Sequence, residues 1–237
     1  MAGHGGAEAR THGAADYVEL HCHSGFSLLD GASNPEDLVR RAAEIGMPAI
    51  ALTDHDDLGG AVRWAEAGKE HGVEALIGLE LTIGDGAASH LTLLATNDAG
   101  YANLSQLITL ARSGERGEPR ATWTDLERHA EGLFCLTGCP FGEVPRLLAR
   151  GDERRARARL GRLAELFRGN VAVECWDHGL AEERALGPAL IGLAGALDVP
   201  WVVTNDVHYA TPKGRLVHDV LTCLRHRTTL DEAGTLL

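Results

Sequence analysis

Apolar residues fall along this chain in two rhythms. Short runs such as Ala49–Thr53, Leu133–Thr137 and Val171–Glu174 are apolar at nearly every position, and between them lie longer segments with apolar residues at helical spacing. Repetition of short run, polar turn and helix-period segment is the signature of βα units. We read strands at Tyr17–His21, Ala49–Thr53, Ala75–Leu79, His90–Ala95, Leu133–Thr137, Val171–Glu174 and Trp201–Thr204. Most are too apolar to leave one face in water, which suits parallel strands covered by helices.

The segments between predict the helices. Asn34-Pro35-Glu36 has the order of cap and first-turn proline, and the helix should run to about Glu44 before Gly46 ends it. Gly60–Glu70, Gly100–Ala111, Asp152–Phe167 and Glu182–Leu197 follow the same spacing. Ser113–Arg120, rich in Gly, Pro and charge, is expected as a mobile loop. The first fifteen residues, MAGHGGAEARTHGAA, have no apolar stretch and are expected as a disordered tail, leaving residues 16–237 as one domain.

Composition narrows the class. With 237 residues, 44% of them hydrophobic, the chain can bury a full core as a single α/β domain. The formal net charge of -12 argues against a generally basic, sequence-independent nucleic-acid surface, although bound cations could still bring a phosphate to an anionic protein, so charge alone does not exclude a DNA substrate. Five scattered cysteines, an odd number, read as reduced thiols and point to the cytoplasm. No run of eighteen apolar residues is present, so membrane spanning is not expected.

Candidate chemistry gathers at strand ends. His21-Cys22-His23 closes the first strand, and alternation sends both imidazoles to one side. Thr53-Asp54-His55 follows the second strand, Glu80 the third, Cys139 the fifth, and Asp206 with His208 the last. In a barrel of parallel strands these ends converge on one mouth. With Asp30 and His90 added, nine residues able to bind metal are placed where a cluster could form. His90 opens its strand, so a bend or a long preceding connection would have to bring it in.

Imidazoles and carboxylates with one thiolate suit zinc, manganese or iron better than calcium, and several carboxylates favour a bridged site of two or three divalent ions, with Glu80 as the bridge. A hydroxide shared by closely spaced ions attacks phosphate esters. Asp54, Asn205 and Tyr209 flank these residues and could orient imidazoles or contact substrate. Cys22, Cys135, Cys175 and Cys223, the remaining histidines and Trp176-Asp177-His178 read as packing or surface residues, and the run Arg154–Arg159 as a solvated helix face with a DNA-facing patch as its rival.

The stretches LHCHSGFSLLDGAS, ALTDHDDLGG, IGLELT, LTGC and TNDVHYATP resemble the successive motifs of the polymerase and histidinol phosphatase (PHP) superfamily. HLTLLATNDAGYANLSQLIT, VECWDHG and HDVLTCLRHRTTLDEAG are similar to the N-terminal PHP domain of C-family polymerases, the DNA polymerase III α type and especially its error-prone form. That resemblance implies a distorted seven-stranded (β/α)7 TIM-like barrel with a trinuclear mouth. It assigns His21, His23, Glu80 and Asp206 to one ion, Glu80, His90 and Cys139 to a second, and Asp30, His55 and His208 to a third. The hydrolytic hydroxide would be held around Glu80 with Asp206 and His208, and in related polymerases such intact sites go with 3′→5′ exonuclease activity.

The expected partners are a DNA 3′ end or a small phosphoester, and the polymerase domains of a parent chain. The sequence stops at Leu237, before any palm, thumb or fingers, so no polymerase active site is expected in it. Two other readings compete: a metal-stabilised structural module with little hydrolysis, and a free-standing phosphatase of the histidinol phosphatase kind.

Overall fold

A computed structural model describes residues 17–237; the expected N-terminal tail, with His4 and His12, lies outside them. Among the described residues six strands follow one another across a single curled sheet: β1 (Ala49–Leu52), β2 (Glu74–Ile83), β3 (Ser89–Ala95), β4 (Leu133–Leu136), β5 (Val171–Cys175) and β6 (Trp201–Val203). The helices are α1 (Pro35–Glu44), α2 (Ala61–His71), α3 (Asp98–Ala111), α4 (Trp123–Arg128), α5 (Glu143–Ala149), α6 (Glu153–Leu166), α7 (Ala181–Ala196) and α8 (Arg215–His226).

Local signals account for most boundaries. Pro35 opens α1, and Gly46 follows it at φ 78°. Gly72 ends α2 in the left-handed region at φ 69°, where a residue without Cβ is unstrained. Helices α4 and α5, of six and seven residues, are too short for a helical period to show in the sequence. Thr122 and Asp125 nevertheless form a reciprocal capping box at the start of α4. The amphipathic α8, outside the predicted helices, leaves Leu216, Val217, Val220 and Leu224 exposed.

The expectation of parallel strands throughout needs correction. β1–β2, β4–β5 and β5–β6 are parallel, but β3 runs antiparallel to both of its neighbours. The reason is connection length: only residues 84–88 join β2 to β3, far too few for the crossover that a parallel pair requires. Reversal of β3 puts its first residues at the end of the sheet where the parallel strands finish. His90 therefore reaches the mouth by strand direction, without a bend or a long connection.

The expected first strand is an extended segment with isolated bridges, Glu19 to Ile50 and Cys22 to Val207. Side chains occupy hydrogen-bonding positions that a ladder would give to main chain. The Glu19 carboxylate accepts from the backbone N–H groups of His21 (3.0 Å) and Asn205 (3.1 Å), and the Thr53 hydroxyl accepts from Cys22 N–H (2.9 Å). The segment thus lies between β1 and the chain that follows β6.

Two apolar clusters hold this frame. The larger joins β2–β5 to α3–α7 through Leu79, Leu81, Leu93, Leu107, Leu160 and Val173. The smaller packs Leu38 and Val39 of α1 and Trp64 of α2 against Ile50 and Leu52.

The turn after the first segment tests how tightly the mouth is built. A Cβ on Gly31 would lie 1.8 Å from the Ser24 carbonyl oxygen, so the backbone would have to move. Gly31→Ala should cost about 1–3 kcal/mol in urea denaturation. Gly161→Ala in α6, where a Cβ meets nothing within 4 Å, should be neutral or stabilise by up to ~1 kcal/mol. Equal stabilities for the two variants would contradict this account of the turn.

Candidate metal centre

The nine residues singled out by pattern lie around one mouth. His21 and His23 come from the first extended segment, Asp30 from the turn after it, and His55 from the chain following β1. Glu80 stands inside β2 opposite Thr92, His90 opens β3, Cys139 follows β4, and Asp206 and His208 follow β6. The β2 strand is longer than expected because its second half, Gly78–Ile83, pairs with β3, and the chain after β1 bridges to it at Glu80, whose N–H reaches the Thr53 and Asp54 carbonyls while Asp56 N–H donates to Glu80 O at 2.9 Å.

Glu80 is the hub. Its side chain is 1% exposed, and its two oxygens lie 2.7 Å from His55 Nδ1, 3.1 Å from His90 Nδ1, 3.6 Å from His21 Nε2 and 3.8 Å from His23 Nε2. The Cys139 thiol donates to Glu80 Oε1 at 3.0 Å and sits 3.6 Å from His90 Nδ1. Asp30 Oδ2 lies between His55 Nε2 at 3.2 Å and His208 Nε2 at 3.0 Å. Asp206 Oδ1 is 3.2 Å from His23 Nε2, 3.6 Å from His21 Nε2 and 3.9 Å from His208 Nε2.

Three overlapping triads have their donor atoms within 4.8 Å of one another: His21, His23 and Asp206; His23, Asp30 and His55; His55, Glu80 and His90. The resemblance shares Glu80 between two of its three ligand sets, whereas these triads share His23 and His55. Buried His21 Nε2, His23 Nε2 and Asp206 Oδ1 have no hydrogen-bond partner, although the last two atoms are only 3.2 Å apart. Buried polar atoms rarely go unsatisfied, and these face a common space, so the residues fit divalent cations bound among nitrogen, oxygen and sulfur donors.

Charge balance in the cluster is tight. Burial works against a charge on His55, yet Glu80 and Asp30 push its pKa up to about 10. His21 is likewise disfavoured by burial but held well above the ordinary value by Glu174, Asp206 and Glu80. Burial and the neighbouring His55 lower His23 to about 4. Burial alone would raise Glu80, but His55 and His90 keep it well below the usual carboxylate range. Burial first and Glu80 next raise the Cys139 thiol, so it stays protonated unless a cation stands beside it.

A surrounding layer orients the imidazoles. His21 Nδ1 meets Glu174 Oε1 at 2.6 Å, and Thr204 Oγ1 donates to the same oxygen at 2.6 Å. His23 Nδ1 meets Ser27 Oγ at 3.0 Å, and that hydroxyl donates to Asp54 Oδ1 at 2.8 Å. Asp54 thus orients an imidazole through Ser27. The Asn205 side chain bonds Tyr17 and Glu19 instead of an imidazole, and the Tyr209 ring lies 5.9 Å from that of His218.

Several partners were missed in the sequence. Glu174 was signalled by its setting, one carboxylate inside the apolar run VAVEC. His218, read as a surface residue, meets the Asp30 carbonyl at 2.9 Å, and Arg225 pairs with the Asp30 carboxylate. His178, read as packing, meets Glu183 Oε1 at 2.8 Å and the Asn205 carbonyl at 2.9 Å, beside Asp206. All four lie on segments whose approach to the mouth depends on the tertiary fold.

The PHP domain family matches residues 19–178. The chain is 44% identical over 235 residues to an error-prone DNA polymerase of Symbiobacterium thermophilum, covering 91% of this chain and 21% of that protein. It is 40% identical to a DNA polymerase III subunit alpha of Treponema pallidum, covering 88% of this chain and 19% of that one. It therefore spans about a fifth of the length of these relatives.

Among solved structures, one from Bifidobacterium adolescentis, assigned as a metal-dependent phosphoesterase, matches with a TM-score of 0.58 at 17% identity, over 82% of this chain and 89% of that one. An amidohydrolase from Chromobacterium violaceum, solved with bound sulfate, matches with a TM-score of 0.53 at 18% identity, over 81% and 87%. At such identities the likeness is one of fold. The match over residues 19–178 carries the assignment: this chain belongs to the PHP domain family.

Proposed function

We propose that this chain is a metal-dependent phosphoesterase domain of the error-prone DNA polymerase III α type, hydrolysing a phosphodiester at a DNA 3′ end with two or three zinc, manganese or iron ions. The observation that carries this reading is the set of overlapping donor triads around buried Glu80, with the unpartnered His21 Nε2, His23 Nε2 and Asp206 Oδ1 facing one space. His21, His23, Asp30, His55, Glu80, His90, Cys139, Asp206 and His208 would hold the ions. Such ions supply the Lewis acid that activates water and neutralises charge building on a phosphoryl group.

The protein's own residues do the positioning. Glu80 keeps its negative charge at the centre of the cluster, between the His55 and His90 imidazoles. Glu174 and Ser27 hold His21 and His23 by their Nδ1 atoms, which leaves each Nε2 free to face the mouth. Arg225 and His218 fix Asp30 from α8. The relatives named as polymerases support a nucleic-acid substrate over a metabolite, and the distant phosphoesterase fold supports hydrolysis over a purely structural role.

His23→Ala and Asp206→Ala should each lower bound metal and bring hydrolysis of 3′-ended single-stranded DNA to background, while His129→Ala should change neither. Equal activity in all three would defeat the site assignment. Cleavage of histidinol phosphate in preference to DNA would favour a small-molecule phosphatase. Metal binding by folded protein that cuts neither substrate would favour the structural module.

Glu174→Gln removes the charged partner of His21 and should weaken metal affinity by roughly 10–100-fold in chelator competition. An unchanged affinity would show that Glu174 does not orient the imidazole. Chelation should also lower the melting temperature by roughly 5–10 °C, because ions bound well above their Kd add a few kcal/mol to folding. A melting curve unmoved after verified metal removal would count against a site formed by folding.

A further inference from the structure

Outside the metal centre, one hollow concentrates positive charge. The β2–β3 turn, residues 84–87, faces α5 and α6 across a cavity of about 330 Å³ lined by Arg146, Arg150, Arg155 and Arg159 with Trp123 and Glu143. In a chain of formal net charge -12, four arginines around one hollow stand against only Asp85 and Glu143 on the same lining. Crowding like charges is unfavourable unless an anion offsets it.

Arg159 shows what is wanted there. Its guanidinium lies 4.0 Å from the centre of the Trp123 ring, and Nη2 donates to Glu143 Oε1 at 3.0 Å. Its Nη1 is buried with no hydrogen-bond partner. A guanidinium fixed by stacking, with one face of its fork unsatisfied, matches a phosphate oxygen in geometry as well as charge.

The hollow lies at the same end of the sheet as the metal centre. Arg146 Nη2 donates to the Ala88 carbonyl at 2.7 Å, two residues before His90. Phe141, two residues after Cys139 and two before Glu143 of the hollow's lining, is 63% exposed, its ring 5.7 Å from that of His90. An exposed aromatic ring beside a basic groove is the usual arrangement for single-stranded nucleic acid, with bases on the ring and phosphates on the cations.

We propose that the arginine-lined hollow holds a backbone phosphate of a single-stranded polynucleotide whose scissile end lies at the metal centre. This rests on the phosphoesterase reading and narrows its substrate to a strand with at least two phosphates. Arg150 and Arg155 stand at the exposed rim and draw the phosphate in. Arg159 receives it through the free side of its fork.

The test is anisotropy titration of the chain with a short fluorescein-labelled oligo(dT) over a range of salt, with p-nitrophenyl phosphate hydrolysis measured in parallel. The double variant Arg150→Gln, Arg155→Gln should weaken oligonucleotide binding roughly tenfold and reduce the slope of log affinity against log salt by at least about 0.7. Its p-nitrophenyl phosphate hydrolysis should match the wild type. Arg159→Lys keeps the charge and loses the fork, and should weaken binding in samples whose circular dichroism shows them folded at the assay temperature. Wild-type affinity and salt slope in both variants would overturn the proposal. So would inorganic phosphate binding as tightly as the oligonucleotide, which would mark a free-phosphate site. Absence of hydrolysis of both p-nitrophenyl phosphate and 3′-ended single-stranded DNA in the wild type would remove the phosphoesterase reading while leaving the arginine dependence of oligonucleotide binding to be judged separately.

Discussion

A carboxylate buried at the centre of four imidazoles and a thiol is the constraint around which this structure is arranged. Glu80 is 1% exposed, and an ionised group at that depth is tolerable only among partners that compensate its charge. His21, His23, His55, His90 and Cys139 supply them from four further parts of the chain. Without cations, protons on His21 and His55 carry the balance, which is why their pKa values stand above the ordinary range. Cations at the same donors would replace those protons, so metal binding, proton release and folding become one linked equilibrium.

The mouth is held by side chains bonding to backbone as much as by the sheet. Glu19 takes the N–H groups of His21 and Asn205, Asp54 takes Ser24 N–H at 2.7 Å, and Asp56 takes Thr82 N–H at 2.8 Å. Each bond ties one candidate ligand's neighbourhood to another. Asp206 sits at φ 48°, a conformation that costs a non-glycine residue energy and is stable here because the flanking chain is fastened on both sides. His23 N–H donates to Val207 O at 2.7 Å, and Val207 N–H donates to His21 O at 2.9 Å. The two histidines and Asp206 are thereby locked into one unit before any ion is considered.

Much of the site was legible because its residues sit beside strand ends in short, dense motifs. His21 and His23 share one side of extended chain, and His55, Cys139, Asp206 and His208 each follow an apolar run. The partners of these residues were not legible to the same degree. Glu174 reads as one more position of the strand Val171–Glu174 and His218 as a packing or surface residue, and no local pattern marks Arg225. Their roles depend on α8 and β5 approaching the mouth, a long-range fact that carries no local period.

Taken alone, the sequence determined most of the segments that alternate as strand and helix, that a nine-residue set could bind metal, and that the chain resembles the PHP superfamily. Those properties follow from apolar spacing and side-chain chemistry, which are local. Only the tertiary structure decided that β3 runs backwards and so delivers His90, that His23 and His55 are shared between donor triads, and that four arginines surround one hollow. Each of these depends on which distant segments meet, and that is settled by the packing of the whole core and not by any stretch within it.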